Sequence, residues 1–269
     1  MSGLTGHADA RSVDTILFDL YGTLLDIRVD EDSAALWVGL TAALTAAGAS
    51  VGPGDVRSRF QSILKEEGER GREGFIMELV FRRLLASFGV SEDVGRIGRL
   101  FRQLSLKEQA LRPYVVPLLE ALHRSGSRTG IVSNTEAVLT RFDLDCFPIL
   151  RTVGAIVLSS EIGVRKPDPK IFQVALERLH SEPSSAVFIG NDWAADIAGA
   201  RRSGLRAIYL GEGASDRAPV TATADGAVLR AAPTLEAMVS ALCQFGWRGG
   251  ERRSVAPDVK EERGPAAVS

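Results

Sequence analysis

The sequence has few cysteines, little net charge and no long apolar run. It has 269 residues, two cysteines and a formal net charge of −2. A charge this small gives no reason to expect nucleic acid or an anionic membrane as a partner. No apolar stretch approaches the roughly 20 residues that span a bilayer, and residues 1–10 lack the charged-then-apolar pattern of a secretory signal. These absences predict a cytoplasmic protein.

The two cysteines, Cys146 and Cys243, lie far apart in apolar surroundings. This predicts buried thiols rather than a disulfide or a metal site. Apolar residues make up 45% of the chain and charged residues 25%, which is typical of a globular protein. The length allows one large domain or two modest ones, with a sizeable core.

The first motif is an apolar run, Thr15 to Phe18, that ends at Asp19 and is followed by Gly22-Thr23. A short apolar run closed by a turn signal predicts a buried parallel strand. Asp19 would then lie at the carboxyl end of the strand, where open α/β sheets bind ligands. A carboxylate there must be solvated, hydrogen-bonded or bound to a cation. Asp19 is therefore either a functional residue or simply the first residue of the turn.

The rest of the chain divides into a helical region and a region where strands and helices alternate. Residues 27–112 have helical periodicity and few strand signals, so we interpret them as a helical insertion. Strands alternating with helices after residue 113 predict a doubly wound parallel sheet. The predicted organisation is a flexible N-terminus (1–13), an α/β core (14–26 and 113–246), the insertion (27–112) and a disordered tail (247–269).

Individual elements follow from the same patterns. The predicted helices cover residues 34–44, 56–65, 75–88, 94–106, 115–124, 169–179 and 197–202. The predicted strands cover residues 15–18, 129–134, 155–160, 186–190 and 206–210. The insertion is rich in arginine, which predicts a solvated face, although one or two arginines could meet an anionic substrate.

Polar side chains follow the predicted strands, at the edge where parallel strands share their carboxyl ends. Each has an ordinary structural explanation, such as a helix cap or a first-turn acid. Together they offer a nucleophile, a hydroxyl, a cation and two further carboxylates. They are Asp19, Ser133, Asn134, Lys166, Asp192 and Asp196.

This set suits phosphoryl transfer. A carboxylate such as Asp19 can attack phosphorus and form an aspartyl-phosphate. The charge on the transferring oxygens is then met by a cation, by hydrogen-bond donors and by Mg²⁺ held on carboxylates. Mg²⁺ prefers oxygen ligands and keeps several waters, so one or two acids beside Asp19 suffice.

The motifs, in this order, resemble those of the haloacid dehalogenase superfamily of hydrolases over about residues 15–210. The resemblance implies a Rossmann-like core with a helical cap formed by the insertion, and a small phosphorylated substrate. The implied nucleophile is Asp19, and the implied Mg²⁺ ligands are Asp19, the Tyr21 carbonyl, Asp192 and Asp196. Ser133 would bind the phosphoryl group and Lys166 would orient and neutralise it. The implied substrate-binding residues are Tyr21, Thr23, Ser133, Asn134 and Lys166.

Two departures from the usual phosphatase motifs bear on the reaction. Most phosphatases of this superfamily have Asp-x-Asp in the first motif, whereas here the second position is Tyr21, a poor proton shuttle near neutrality. Asp-x-Tyr-Gly-Thr is instead similar to the 2-haloacid dehalogenases of the superfamily, which need no metal. In the fourth motif, Asn191 follows the glycine where Asp is commoner, so either Asn191 or Asp192 would be the metal ligand, and the charge favours Asp192.

Three functions follow from these residues. The acidic fourth motif favours a Mg²⁺-dependent phosphatase, because Asp19, Asp192 and Asp196 would repel one another without a cation. The first alternative is a metal-independent 2-haloacid dehalogenase, which Tyr21 favours. The second alternative is a weakly active or non-enzymatic protein that binds a phosphorylated ligand or a partner. The sequence predicts a monomer or a homodimer and does not identify the substrate.

Overall fold

The computed structural model describes residues 12–70, 76–211, 220–224 and 226–249. The predicted flexible N-terminus and disordered tail lie largely outside these residues. The strands are β1 Thr15–Phe18, β2 Leu25–Val29, β3 Leu106–Leu111, β4 Arg128–Ser133, β5 Ala155–Leu158, β6 Ala186–Gly190, β7 Arg206–Tyr209, β8 Val220–Ala222 and β9 Val228–Ala231. The helices are α1 Ala34–Ala46, α2 Pro53–Glu69, α3 Met77–Ser87, α4 Val94–Ser105, α5 Val115–Arg124, α6 Ala137–Cys146, α7 Ser159–Ile162, α8 Pro169–Arg178, α9 Ala198–Arg202 and α10 Leu235–Gln244.

The core is a mostly parallel sheet between two layers of helices, as the sequence predicts. Within the described residues the strand order is β5-β4-β1-β6-β7-β9-β8, and β8 alone runs antiparallel to its neighbour. Alternate residues of β1 point to opposite faces. Ile16 and Phe18 share a buried cluster with residues of α5 and α10, whereas Leu17 belongs to a cluster with residues of α8. The sheet is therefore covered on both faces, which explains why its strands are almost continuously apolar.

The helical insertion consists of α1–α4 and has its own hydrophobic cluster. Trp37, Phe60, Phe81 and Phe101 meet at its centre, with ring centroids 5.2–6.1 Å apart. The chain enters the insertion through β2 and leaves it through β3. These two strands pair antiparallel and form a two-stranded ribbon that is separate from the main sheet. This ribbon was not predicted, because β3 has no apolar alternation and most of β2 lies in the region that was interpreted as a helical insertion.

The prediction made for the two cysteines needs correction, and several elements were missed. Cys146 and Cys243 are exposed free thiols rather than buried ones, because each lies near the end of a helix whose buried face is formed by other residues. Helix α6, which contains Cys146, was not predicted, nor were β8, β9 and α10. None of the described helices is both long enough and apolar enough to cross a membrane.

Candidate active site

The candidate site lies at the carboxyl ends of β4, β1 and β6, three adjacent strands of the sheet. Because β1 pairs in parallel with both β4 and β6, Asp19, Ser133 and Asn191 end up at the same edge. Asp19 is 8% exposed and its backbone N–H donates to Ile189 O at 2.9 Å. The order of the strands thus brings together residues that are far apart in the sequence.

Lys166 lies between two carboxylates. Its Nζ is 2.6 Å from Asp19 Oδ1 and 2.6 Å from Asp196 Oδ1, and its side chain is almost fully buried. A single ammonium therefore offsets the repulsion between the two acids. Such a buried arrangement persists only when the charges are paired. Asp19 and Asp196 need a cation between them, and the ammonium group of Lys166 is that cation.

The loop that carries Lys166 is fixed by Asn134. Asn134 Nδ2 donates to Lys166 O at 2.9 Å, and Lys166 N donates to Asn134 Oδ1 at 2.7 Å. Both ends of the amide are therefore used on the backbone of Lys166. The substrate contact predicted for Asn134 stays a prediction, and the geometry gives this side chain a positioning role.

In the fourth motif, Asn191 rather than Asp192 faces the nucleophile. With the amide nitrogen of Asn191 turned toward its partners, it lies 3.2 Å from Asp19 Oδ2, 3.2 Å from Tyr21 O and 3.1 Å from Thr23 Oγ1. Asp192 Oδ1 instead accepts from Ala194 N and Ala195 N, both at 2.8 Å. Asp192 is thus the N-cap of the following π-helical turn, a structural role that Asp fulfils well.

Asp196 is buried beneath the loop that contains Asn191. Its Oδ2 accepts from Asn191 N at 3.0 Å and from Asp192 N at 2.9 Å. Burial raises the pKa of the Asp196 carboxyl, the charge of Lys166 opposes that shift, and Asp19 adds to it. A Cβ on Gly190 would lie 2.4 Å from Asp196 Oδ2, so glycine at this position is what allows the carboxylate to reach the loop.

The side chain of Tyr21 is anchored to α6. Its hydroxyl donates to Asp143 Oδ2 in a short hydrogen bond and lies 3.3 Å from Thr140 Oγ1. Burial raises the pKa of Tyr21 above its ordinary value, and the negative charge of Asp143 raises it further. The phenol therefore stays protonated near neutrality, which agrees with the prediction that Tyr21 is a poor proton shuttle.

Asp143 in turn contacts the helical insertion. Arg102 Nε of α4 lies 3.2 Å from Asp143 Oδ2, and the Asp143 side chain is fully buried. Sequence analysis missed Asp143 because α6 was not predicted. The signal was available, since Leu139, Thr140, Asp143 and Leu144 form one buried face of that helix. A carboxylate within such a face requires a partner.

The remaining predicted residues lie around Asp19 without a resolved ligand role. Ser133 is 1% exposed at the end of β4. Thr23 is fully buried, and its hydroxyl lies 3.1 Å from the Asn191 amide. Its backbone carbonyl accepts a short hydrogen bond from the Tyr114 hydroxyl. Thr23 therefore stabilises the loop after β1 through its contacts with Asn191 and Tyr114.

A Mg²⁺ ion fits the oxygens at this edge, although the set has little charge. Asp19 Oδ2 and Tyr21 O lie within 3.2 Å of the Asn191 amide, and rotation of that amide would present its oxygen instead. One carboxylate with two neutral oxygens suits Mg²⁺, which keeps several waters and shares substrate phosphates. No described group of three or more His, Cys, Asp or Glu side chains could hold a metal.

Comparisons with known proteins identify the family. The haloacid dehalogenase-like hydrolase family matches residues 13–204. A glyceraldehyde 3-phosphate phosphatase of Methanopyrus kandleri is 33% identical over 57% of this chain, which spans only 64% of that relative's length. The (S)-2-haloacid dehalogenase 1 of Pseudomonas sp. is 30% identical over 72% of this chain and 82% of its own.

A solved structure supports the fold. The HAD phosphatase from Thermococcus onnurineus has a TM-score of 0.53 at 22% identity, covering 86% of this chain and 98% of that one. The alignment thus extends over most of the chain. Because the family match covers well over half of the sequence, the chain belongs to the haloacid dehalogenase-like hydrolases.

Proposed function

We propose that the protein hydrolyses phosphate monoesters of small metabolites, with Asp19 as the nucleophile. The observation that carries this proposal is the 2.6 Å contact between Asp19 Oδ1 and Lys166 Nζ at the carboxyl edge of the sheet. Attack by the carboxylate on phosphorus forms an aspartyl-phosphate and breaks the bond to the alcohol oxygen, which takes a proton from water as the alcohol leaves. Water then cleaves the acyl phosphate, which releases inorganic phosphate and restores Asp19.

Lys166 contributes charge and position. Its ammonium is held by Asp19 and Asp196 before any substrate binds, so little reorganisation is needed when negative charge develops on the phosphoryl oxygens. The hydroxyl of Ser133, at the end of the neighbouring strand, is the proposed donor to that group. The phosphatase relative from Methanopyrus kandleri supports a small phosphorylated substrate.

Mg²⁺ is the proposed cofactor, and Asp19, the Tyr21 carbonyl and Asn191 are the residues that would hold it. When bound, the ion would neutralise charge on the phosphoryl group as a Lewis acid. With a single carboxylate in this set, we expect the ion to bind weakly to the free protein and more tightly with a phosphorylated ligand. The ligand roles of Asp192 and Asp196 stay predictions. The role of Asp192 is disfavoured, because its Oδ1 already accepts hydrogen bonds from Ala194 N and Ala195 N.

Metal-independent dehalogenation is the second candidate, and three observations favour it. Tyr21 stands where phosphatases carry a second acid, and an uncharged amide, Asn191, contacts Asp19 Oδ2. In this reaction Asp19 would displace halide from carbon, and water would then cleave the resulting ester. The haloacid dehalogenase of Pseudomonas sp. also matches a larger share of this chain, 72%, than the Methanopyrus phosphatase does, 57%.

A substrate screen separates the two candidates. We expect the purified protein to release phosphate from a panel of small phosphate esters in the presence of MgCl₂, and EDTA to abolish that activity. Release of chloride from 2-chloropropionate that persists in EDTA would instead establish the dehalogenase. Asp19→Asn is the control for both reactions, and we expect it to remain folded and to lose turnover by at least about 10³-fold because the nucleophile is gone.

A cytoplasmic location and a monomeric or homodimeric state remain predictions. Size-exclusion chromatography with light scattering of the same preparation would establish the oligomeric state.

A further inference from the structure

A chain of polar contacts leads from the helical insertion to the nucleophile. Arg102 of α4 contacts Asp143 of α6, and Asp143 accepts the hydrogen bond of the Tyr21 hydroxyl. The carbonyl of Tyr21 faces the amide of Asn191, and the same amide contacts Asp19 Oδ2. None of these contacts is longer than 3.2 Å, so each group is within reach of the next.

The contacts converge on one oxygen atom. Asp143 Oδ2 meets both the Tyr21 hydroxyl and Arg102 Nε. The other oxygen, Oδ1, is buried and accepts no hydrogen bond within the part of the chain that the structure describes. Asp143 therefore depends on one partner from the loop after β1 and one from the insertion. Removal of either partner leaves a buried carboxylate poorly compensated.

Arg102 makes this junction sensitive to the position of the insertion. Its side chain is 11% exposed and that of Asp143 is 0% exposed. Moving α4 away from α6 would separate two buried charges, so the ion pair favours the packed arrangement over any displaced one. The same two helices are packed closely elsewhere, where Gly98 of α4 meets Val138 of α6.

Tyr21 transmits the position of Asp143 to the nucleophile because it belongs to a tight loop. Leu24 N donates to Leu20 O at 2.8 Å, and Gly22 N donates to Leu25 O at 2.9 Å. Because this loop leaves the backbone little freedom, the hydrogen bond that anchors the Tyr21 ring also restrains the Cα and the carbonyl of this residue. That carbonyl and Asp19 Oδ2 share the Asn191 amide.

We propose that Asp143 is a positioning residue that holds Tyr21, and through it the Asp19 loop, in register with the packed helical insertion. The proposal rests on the nucleophilic role of Asp19 but not on the choice between phosphorus and carbon as its target. The Tyr21 hydroxyl then serves to anchor the loop through its hydrogen bond to Asp143 and does not transfer a proton. The buried Arg102 is the residue through which the insertion contributes.

A second ion pair between the same helices provides a matched control. Arg99 Nη2 of α4 lies 2.5 Å from Asp145 Oδ2 of α6, and both side chains are partly exposed, at 49% and 37%. This pair joins the insertion to the core at a position away from the loop after β1. Exposed ion pairs contribute little, so it tests whether any contact between α4 and α6 has the same effect.

The experiment is a double-mutant cycle on kcat and KM with Tyr21→Phe, Asp143→Asn and the double variant. It uses whichever substrate the wild-type protein turns over, a phosphate ester or a 2-haloacid, so failure of the phosphatase proposal does not affect it. We expect each single variant to lower kcat by about 10- to 10²-fold, as misplacement of a nucleophile does, with little change in KM. The kcat of the double variant should be no lower than that of the less active single variant, because both substitutions remove the same hydrogen bond between Tyr21 and Asp143.

Asp145→Asn is the control, because it removes an exposed ion pair between the same two helices. It should change kcat by less than about twofold. Multiplied losses in the double variant, an unchanged kcat in Asp143→Asn, or an equal loss in Asp145→Asn would each overturn the proposal. If Asp143→Asn fails to fold by circular dichroism, Arg102→Met combined with Tyr21→Phe completes the same cycle with the same expected result.

Discussion

At the scale of single residues, the uncharged Asn191 provides a test of the proposed Mg²⁺ site. Its amide contacts Asp19 Oδ2 and Tyr21 O, where a second carboxylate would add charge. We expect Asn191→Asp to tighten Mg²⁺ binding by about tenfold or more, since the charge of the ligand set governs affinity for such ions. Without metal, the new carboxylate would repel Asp19 and destabilise the protein. Calorimetric titration with MgCl₂ measures the first effect, and urea unfolding in EDTA measures the second.

Asp192 is the matched control for that substitution. Asp192→Asn keeps a side-chain oxygen that can cap the helical turn, so we expect a stability change of less than about 1 kcal/mol and an unchanged Mg²⁺ affinity. Loss of Mg²⁺ binding in Asp192→Asn, with no gain in Asn191→Asp, would show that Asp192 is the ligand after all. That result would support the prediction made from charge alone.

The sequence could predict which residues share the edge but not how each is used. Asp19, Lys166 and Asp196 come together as the order of the strand ends suggests. An Asp that caps a helix and an Asp that binds a metal look the same in sequence, and Asp192 was favoured over Asn191 for its charge alone. The distinction depends on the direction of a side chain, and that is set by three-dimensional contacts.

At the scale of secondary structure, prediction succeeded where burial leaves a clear pattern. The buried strand β6, Ala-Val-Phe-Ile-Gly, is continuously apolar, and its predicted range agrees with the structure. The ribbon strand β3, Leu-Lys-Glu-Gln-Ala-Leu, is half-exposed and paired only with β2. Its charged residues favour a helix as readily as a strand. Only contact with the distant β2, which precedes the whole insertion, fixes its conformation.

The packing of α4 against α6 offers a test at this scale. A Cβ on Gly98 would lie 2.4 Å from Val138 Cγ2 and 2.7 Å from the Val138 carbonyl oxygen. Gly98→Ala should therefore destabilise the protein by about 1–3 kcal/mol through overpacking, despite the better helix propensity of alanine. Urea unfolding monitored by circular dichroism measures the difference.

Gly68 in α2 provides the comparison, because a Cβ there would meet nothing within 4 Å. Gly68→Ala should leave stability unchanged or raise it by up to about 1 kcal/mol through helix propensity. If both variants behave alike, α4 and α6 do not approach each other closely enough to exclude a methyl group, and overpacking at Gly98 is disproved.

At the scale of the whole molecule, the α/β core and the helical insertion are also joined by a carboxylate that titrates. Glu136, in the loop after β4, accepts a hydrogen bond from Ile76 N of the insertion at 2.8 Å. Burial raises the pKa of the Glu136 carboxyl, while hydrogen bonds from the backbone of Ile76 and Met77 oppose the shift. Burial in the folded protein therefore favours the protonated form of Glu136 more than the unfolded chain does.

The sign of the pH dependence follows from that shift. A carboxyl group whose pKa is higher in the folded protein binds more protons there than in the unfolded chain, so its contribution to stability falls as pH rises between the two values. The window begins near the ordinary pKa of glutamate, about 4.3, and extends upward. Glu136→Gln keeps an acceptor for Ile76 N but cannot ionise. We therefore expect the variant to gain stability relative to wild type as pH rises through this window.

Urea unfolding of both proteins from pH 4 to pH 7 measures the difference between their free energies of unfolding. Glu120→Gln, on the exposed face of α5, controls for the loss of one negative charge. Burial also raises the pKa of Glu31, Asp143 and Asp196, whereas the Arg83 hydrogen bond lowers that of Glu66. Several carboxyl groups therefore contribute to the pH dependence of stability, and only the difference between variant and wild type isolates Glu136. If the stability advantage of Glu136→Gln shrinks as pH rises, the prediction is wrong. In that case the hydrogen bonds from the backbone of Ile76 and Met77 to the ionised carboxylate outweigh the effect of burial on its pKa.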